Sequence, residues 1–274
     1  MATKWVPLEA DPEIFNAASP FLWSAPLGLP KTLKFNDLFS LDPEFLQFIP
    51  QPVFAVLLLF PCRGKLGEER EKEEAAGEGE WKGSDDENKK IWWIKQTVRT
   101  IRSHGPVNDQ LKLELLFQIG NACGSIGLLH SLLNLPRDPA SPYALAKDSL
   151  LAKFYQETKE LSGIDKAKSL DAATFFEEAH KRVAESGQST VPRTAEELEH
   201  VDLHFISFVE GTAADGSKHV IELDGSTRNG PFNRGPCKSL LHDVARIVQE
   251  KYIDRAEGDP NFTLITLGAK GEDE

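Results

Sequence analysis

The chain has 274 residues, 31 basic against 43 acidic side chains, and a formal net charge of −12. With 40% hydrophobic and 27% charged residues it has globular composition, enough for one large domain or two small ones, which excludes wholesale disorder and fibrous structure. The acidic balance disfavours a nucleic acid or an anionic membrane as main partner, because both reward clustered Lys and Arg; a basic protein partner stays open.

The opening residues, Met1-Ala-Thr-Lys-Trp5, carry no apolar leader-like run. The longest apolar run, Val53 to Phe60, is too short to cross a bilayer. Bounded by Pro52 and Pro61 and rich in β-branched and aromatic residues, it predicts a strand buried on both faces. Gly67 to Lys90 holds ten acidic and five basic residues without apolar periodicity, which predicts a solvated acidic loop. Ile91-Trp-Trp-Ile94 then returns to core-like sequence.

Ile126, Leu129, Leu132 and Leu133 recur at helical spacing after Asn121, a good N-cap type. They predict a buried helix with Cys123 in its first turn. Further helices are expected around Ser149–Leu161, Ala172–Glu185 and Ser239–Ala256, the last with Leu240, Val244, Ile247, Val248 and Tyr252 on one face. Strands are expected at His204–Val209, His219–Leu223 and Phe262–Leu267, the first two joined by a hairpin loop over Gly211–Ser217. No regulatory extension is expected beyond the last strand.

Cys62, Cys123 and Cys237 are odd in number and far apart, with no C-x-x-C pair. This argues against a disulfide framework or structural zinc and for a reduced compartment, cytosolic or also nuclear. His104, His180, His200 and His242 show no ligand-like spacing, so neither metal nor cofactor is expected. A cysteine at a helix N-terminus faces unpaired N–H groups and the positive end of the dipole, which favour its thiolate. Such a nucleophile needs a His to share its proton and a third group to orient that His. Val201-Asp-Leu-His204 and His219-Val-Ile-Glu-Leu-Asp224-Gly supply the candidates.

These motifs, Asn121-Ala-Cys-Gly-Ser-Ile-Gly127, Asp202-Leu-His-Phe-Ile206 and Glu222-Leu-Asp-Gly225, stand in one order with Lys4-Trp-Val-Pro-Leu-Glu-Ala-Asp-Pro-Glu13 and Ile49-Pro-Gln-Pro to Pro61 before them. The chain thereby resembles the ubiquitin carboxyl-terminal hydrolases, which are papain-like cysteine proteases, over nearly its whole length. The resemblance implies an α+β fold, a three-layer α-β-α arrangement with a central antiparallel sheet and a knotted chain path that general topology rules disfavour. It implies one catalytic domain over residues 1–274, and a crossover loop over the active site at 177–202. It assigns Cys123 as nucleophile, His204 as general base and acid, and Asp224 as the group that orients His204. His219, nearer to Asp224 in sequence, is expected to be a partly exposed strand-end residue, and His130 a satisfied core one. The implied partner is ubiquitin, its basic C-terminal tail lying in the cleft, and a monomer is expected.

The family's oxyanion donor is a Gln six residues before the Cys. Here Lys95-Gln96-Thr97 matches the first part of that motif and Ile119-Gly-Asn-Ala-Cys123 the second, with Val98 to Gln118 between them. Gln96 is the donor by motif match; Gln118, five residues before Cys123, is the local substitute. One reading of 98–118 is a translated, retained intron, since Val codons begin GT and Gln can be CAG; the other is a genuine insertion. Three activities follow as alternatives: a thiol hydrolase of ubiquitin adducts, a catalytically impaired ubiquitin-binding protein, or a hydrolase of a ubiquitin-like protein.

Overall fold

A computed structural model describes residues 10–16, 28–96, 122–174, 176, 203–226 and 228–271. Its centre is a six-stranded sheet in the order β1-β6-β2-β3-β4-β5, built from β1 (Leu33–Asp37), β2 (Val53–Pro61), β3 (Leu203–Thr212), β4 (Lys218–Leu223), β5 (Phe232–Pro236) and β6 (Thr263–Ala269). Every neighbouring pair is antiparallel. The helices are α1 (Pro12–Asn16), α2 (Pro43–Leu46), α3 (Gly64–Ala75), α4 (Cys123–Leu132), α5 (Leu150–Thr158), α6 (Gly163–Ala172) and α7 (Leu240–Val248), the last running on into a π-turn over Gln249–Ile253.

Strand β2 lies between β6 and β3, and alternation sends its side chains to two cores. Ala55 and Leu57 join Phe205, Ile265 and the α4 residues Ile126 and Leu129 on one face. Val56, Leu58 and Phe60 join Ile206, Phe208, Val244 and Tyr252 on the other. This is the expected three-layer α+β arrangement, and it explains why an unbroken apolar run forms the strand: neither face meets water. The knotted path depends on segments such as 97–121 and 177–202, which lie outside the described residues, as does the crossover loop.

Helix α4 is buried along nearly its whole length and packs on β3, where a Cβ at Gly127 would lie in ordinary contact, 3.7 Å from Phe205 Cβ. Its N-cap is Ala122, without a side-chain cap; Asn121, the expected cap, is outside the described residues. Ser149 and Ser162 cap α5 and α6 by accepting from Ala152 N and Asp165 N, each worth about 1 kcal/mol. Helix α6 starts well before the expected 172–185 helix, whose part beyond 176 is not described. Strands β1 and β5 also went unforeseen: β1 alternates over only Leu33 to Asn36, and β5 has no alternation.

The acidic stretch 67–90 is not a solvated loop throughout. Its first part belongs to α3, which buries Leu66 and Arg70, one turn apart, on a narrow stripe. Its carboxylates are partnered: Glu73 meets Arg228, Arg234 and Arg255, and Glu69 meets Arg255. The part after α3 is pinned to the sheet edge by isolated bridges, Glu80 to Phe232 and Gly83 to Ala213.

Candidate active site

Cys123 opens α4, half-buried, where the first-turn N–H groups have no helical partner. His204 is the second residue of β3, and Asp224 follows the last residue of β4. The β3–β4 register pairs Ser207 with Leu223. Continued outward, it sets Ser226 opposite His204 and Asp224 on the diagonal, two residues away on the same face. His204 Nε2 is 2.9 Å from Asp224 Oδ1 and 3.0 Å from Ser226 Oγ. Ser226 also donates to Asp224 Oδ1 through its N–H (2.8 Å) and its hydroxyl (3.1 Å). With Nε2 so occupied, Nδ1 is the ring nitrogen left for Cys123, whose side chain hydrogen-bonds His204.

Charge follows from these contacts. Burial opposes the imidazolium, but the Asp224 carboxylate and the Cys123 sulfur outweigh it and raise His204 to about 10. Burial likewise pushes the Cys123 thiol up, yet His204 and the backbone N–H groups of Phe205 and Gly124 bring it below the ordinary thiol value. Both shifts favour a thiolate beside an imidazolium, with a carboxylate on the far side of the ring, the direction that a nucleophilic cysteine requires.

Residues 91–96 run between α4 and the turn after β4. Ile94 N donates to His130 Nε2 (3.2 Å), Trp93 Nε1 to Asp224 O (3.1 Å) and Gln96 N to Gly225 O (2.7 Å). Lys95 Nζ reaches Arg228 O at 2.7 Å and Asn229 Oδ1 at 3.1 Å. A Cβ at residue 225 would lie 2.9 Å from Gln96 N and 3.1 Å from Gln96 Cβ, so the glycine of the Glu-Leu-Asp-Gly motif is needed for this close approach. Gln96 is thus buried against the turn that carries Asp224. Gln118 lies outside the described residues.

The other candidates separate cleanly. His130 is fully buried, and burial pushes it down to about 4, so it stays neutral. His219 is half-buried on β4, bonded to Ser217 Oγ and Asn233 Oδ1 and packed on Trp81, away from this chain of contacts. Cys237 is buried, and burial with Glu210 nearby pushes its thiol up to about 12, the opposite of activation. Among the described residues no group of three His, Cys, Asp or Glu side chains could hold a metal, and no helix is long and apolar enough to cross a membrane.

Sequence reasoning missed Ser226 and Arg70. Ser226 sits two residues beyond Asp224, a spacing at which Ser commonly bonds back to a preceding Asp. Arg70 Nη2 lies 2.6 Å from Asp224 Oδ2; its spacing from Leu66 within an otherwise charged run was the available signal.

The sequence profile described as "Ubiquitin carboxyl-terminal hydrolase, family 1" matches residues 5–101 and 116–254, breaking off inside the 98–118 stretch. Ubiquitin carboxyl-terminal hydrolase 3 of Arabidopsis thaliana is 32% identical over 97% of this chain and 95% of its own. A probable ubiquitin carboxyl-terminal hydrolase of Dictyostelium discoideum is 34% identical over 98% and 90%. The crystal structure of the Trichinella spiralis UCH37 catalytic domain, bound to ubiquitin vinyl methyl ester, superposes with a TM-score of 0.62 at 19% identity over 97% of this chain and 96% of its own. The chain belongs to the ubiquitin carboxyl-terminal hydrolase family.

Proposed function

We propose that the protein is a thiol-dependent deubiquitinase that releases small or extended adducts from the C-terminal glycine of ubiquitin. The observation that carries this reading is the continuous chain of contacts from Cys123 through His204 to Asp224. The Cys123 thiolate attacks the glycine carbonyl, and the electron pair of the C=O bond moves onto oxygen. Collapse of that oxyanion breaks the bond to the leaving amine, which takes the proton of His204. A water then gives a proton to neutral His204 and attacks the thioester; Cys123 leaves as thiolate and ubiquitin as free carboxylate. Asp224 keeps the imidazole oriented throughout. The oxyanion is met by N–H groups of the first turn of α4 and by Gln96, the donor that the motif match assigns, which is buried beside Gly225 on the turn that carries Asp224.

The docking surface we propose for ubiquitin is a groove of about 570 Å³ lined by Leu38, Phe39, Leu41, Phe262 and Leu264. It opens at the His204 end of the sheet, because Thr263 pairs with Leu59 and Leu59 with Phe205. Phe39, 92% exposed, is a side chain that water disfavours and a protein partner would cover. A neighbour solved with a ubiquitin ester supports the same partner.

A second reading, an impaired ubiquitin-binding protein, is favoured by one observation: residues 98–118 separate Gln96 from Cys123, and the family match is interrupted there. Hydrolysis of a fluorogenic amide of ubiquitin separates the two. The hydrolase reading expects turnover that Cys123→Ala abolishes; ubiquitin binding without turnover would favour the second. Sequencing the transcript across 98–118 decides between retained intron and insertion.

A further inference from the structure

The densest buried charge in the described residues lies behind Asp224, on the side away from His204. Arg70 is 3% exposed. Its Nη2 is 2.6 Å from Asp224 Oδ2 and 3.0 Å from Glu222 Oε1, and its Nη1 donates to Tyr252 Oη at 2.6 Å. The guanidinium also lies over the Phe60 ring, 4.9 Å from its centroid, and Phe60 stacks edge-on against His204 at 5.8 Å. Asp224 is therefore divided: Oδ1 serves His204 and Ser226, Oδ2 serves Arg70.

Taking a guanidinium and two carboxylates out of water is costly, and a packed apolar cluster would often be at least as stable. Stability alone is thus a weak reason for this arrangement. A carboxylate on the turn after β4 could rotate about χ2; a donor fixed on Oδ2 prevents this and leaves Oδ1 facing Nε2. We propose that Arg70 is a positioning residue of the hydrolase: it locks the Asp224 carboxylate onto His204, which makes the acidic helix α3 a structural support of the active site. The inference rests on the triad reading given above.

The groups around Asp224 determine what removal of Arg70 does to the pH dependence. His204 and Ser226 face Oδ1, with Cys123 beyond the His204 ring, and Arg70 faces Oδ2; Glu222 with Tyr252, Arg228 and Arg234 stands behind Arg70. Lys95 and His130 also feel its charge. Without Arg70, Asp224 loses its second cation and faces Glu222 as a like charge, so it takes up a proton more readily. Protonated Asp224 no longer supports the imidazolium, and the acid limb of activity moves to higher pH.

The test uses the full chain with a fluorogenic amide of ubiquitin, measuring kcat and KM separately across pH, with near-UV circular dichroism to confirm the fold. Arg70→Met is expected to lower kcat about tenfold or more, leave KM within about twofold, and raise the acid limb. Arg70→Lys, whose ammonium reaches one partner rather than three, is expected to recover part of kcat. In an Asp224→Ala background, Arg70→Lys is expected to change kcat less than about twofold, because its effect runs through Asp224. Should Arg70→Met fail to fold, the Arg70→Lys cycle decides alone. A folded Arg70→Met with unchanged kcat and acid limb, or an Arg70→Lys loss equally large without Asp224, overturns the proposal while the triad reading stands. An inert wild-type chain removes the triad reading, and this proposal with it.

Discussion

Ser226 lies across from His204 with its hydroxyl oxygen 3.0 Å from Nε2, almost as close as Asp224 Oδ1 at 2.9 Å. The imidazolium N–H is shared between a carboxylate and a neutral hydroxyl that itself donates to that carboxylate. Ser226→Ala removes the weaker acceptor and one donor to Asp224, and a neutral hydrogen bond of this kind is worth about 1 kcal/mol. The expected result is a kcat lower by about threefold to tenfold with KM unchanged, measured on a fluorogenic ubiquitin amide. A larger deficit on combination with Asp224→Ala than either change gives alone would show that the hydroxyl holds His204 when the carboxylate is gone.

The two glutamines make opposite predictions. Gln96 is buried against Gly225 beside Asp224, so Gln96→Ala should remove an oxyanion donor and lower kcat by about 10²–10³. Gln118→Ala should leave kcat within about twofold. The reverse pattern would mean that the residues before Cys123 have taken over the role and that the 98–118 stretch rebuilt the site.

The pH behaviour follows from the coupled pair. The Cys123 pKa is lowered, against burial, by His204, so alkylation of Cys123 by iodoacetamide should stay fast below the ordinary thiol value of about 8.5. His204, raised to about 10, keeps its proton up to that region; as pH rises through it the leaving group loses its acid and hydrolysis falls. The two protons belong to the pair, so the limbs are macroscopic values. In His204→Asn the acid limb of alkylation should move up toward about 8.5; an unmoved limb would show that the helix terminus alone activates the sulfur.

Phe39→Asp tests the docking groove. It places a charge where an apolar side chain is 92% exposed and leaves the contacts of Cys123 untouched. KM for ubiquitin substrates should rise about tenfold, which is about 1.4 kcal/mol of binding, at constant kcat. A change in kcat alone would remove the groove from recognition.

Legibility in the sequence tracked how local the determining physics was. The Val53–Phe60 strand was readable because a two-sided core leaves a strong local pattern, whereas local pattern offered Cys123, His204 and Asp224 only as candidates and the likeness of their motifs to the family assigned their roles. Helix α3 left only a faint signal: the Leu66–Arg70 spacing is a stripe of two residues, too narrow to establish periodicity, and what stabilises the helix is ion pairing to Arg228, Arg234 and Arg255 more than 150 positions away. Ser226 carries a local cue in its spacing from Asp224, but its contact with His204 comes from register across the sheet, which that cue does not encode. The short edge strand β5 carries Asn233, Gly235 and Pro236, with Arg234 committed to Glu73 and Glu222, so its composition does not read as a strand.

The central claim is that Cys123 is a nucleophile activated by His204 and aimed at the C-terminus of ubiquitin. The most direct test is incubation of the wild-type chain with ubiquitin vinyl methyl ester, followed by peptide mass mapping. The account predicts a single covalent adduct on Cys123, absent in Cys123→Ala and formed much more slowly in His204→Asn. An adduct on Cys62 or Cys237, or none on a folded chain that still binds ubiquitin, would contradict it.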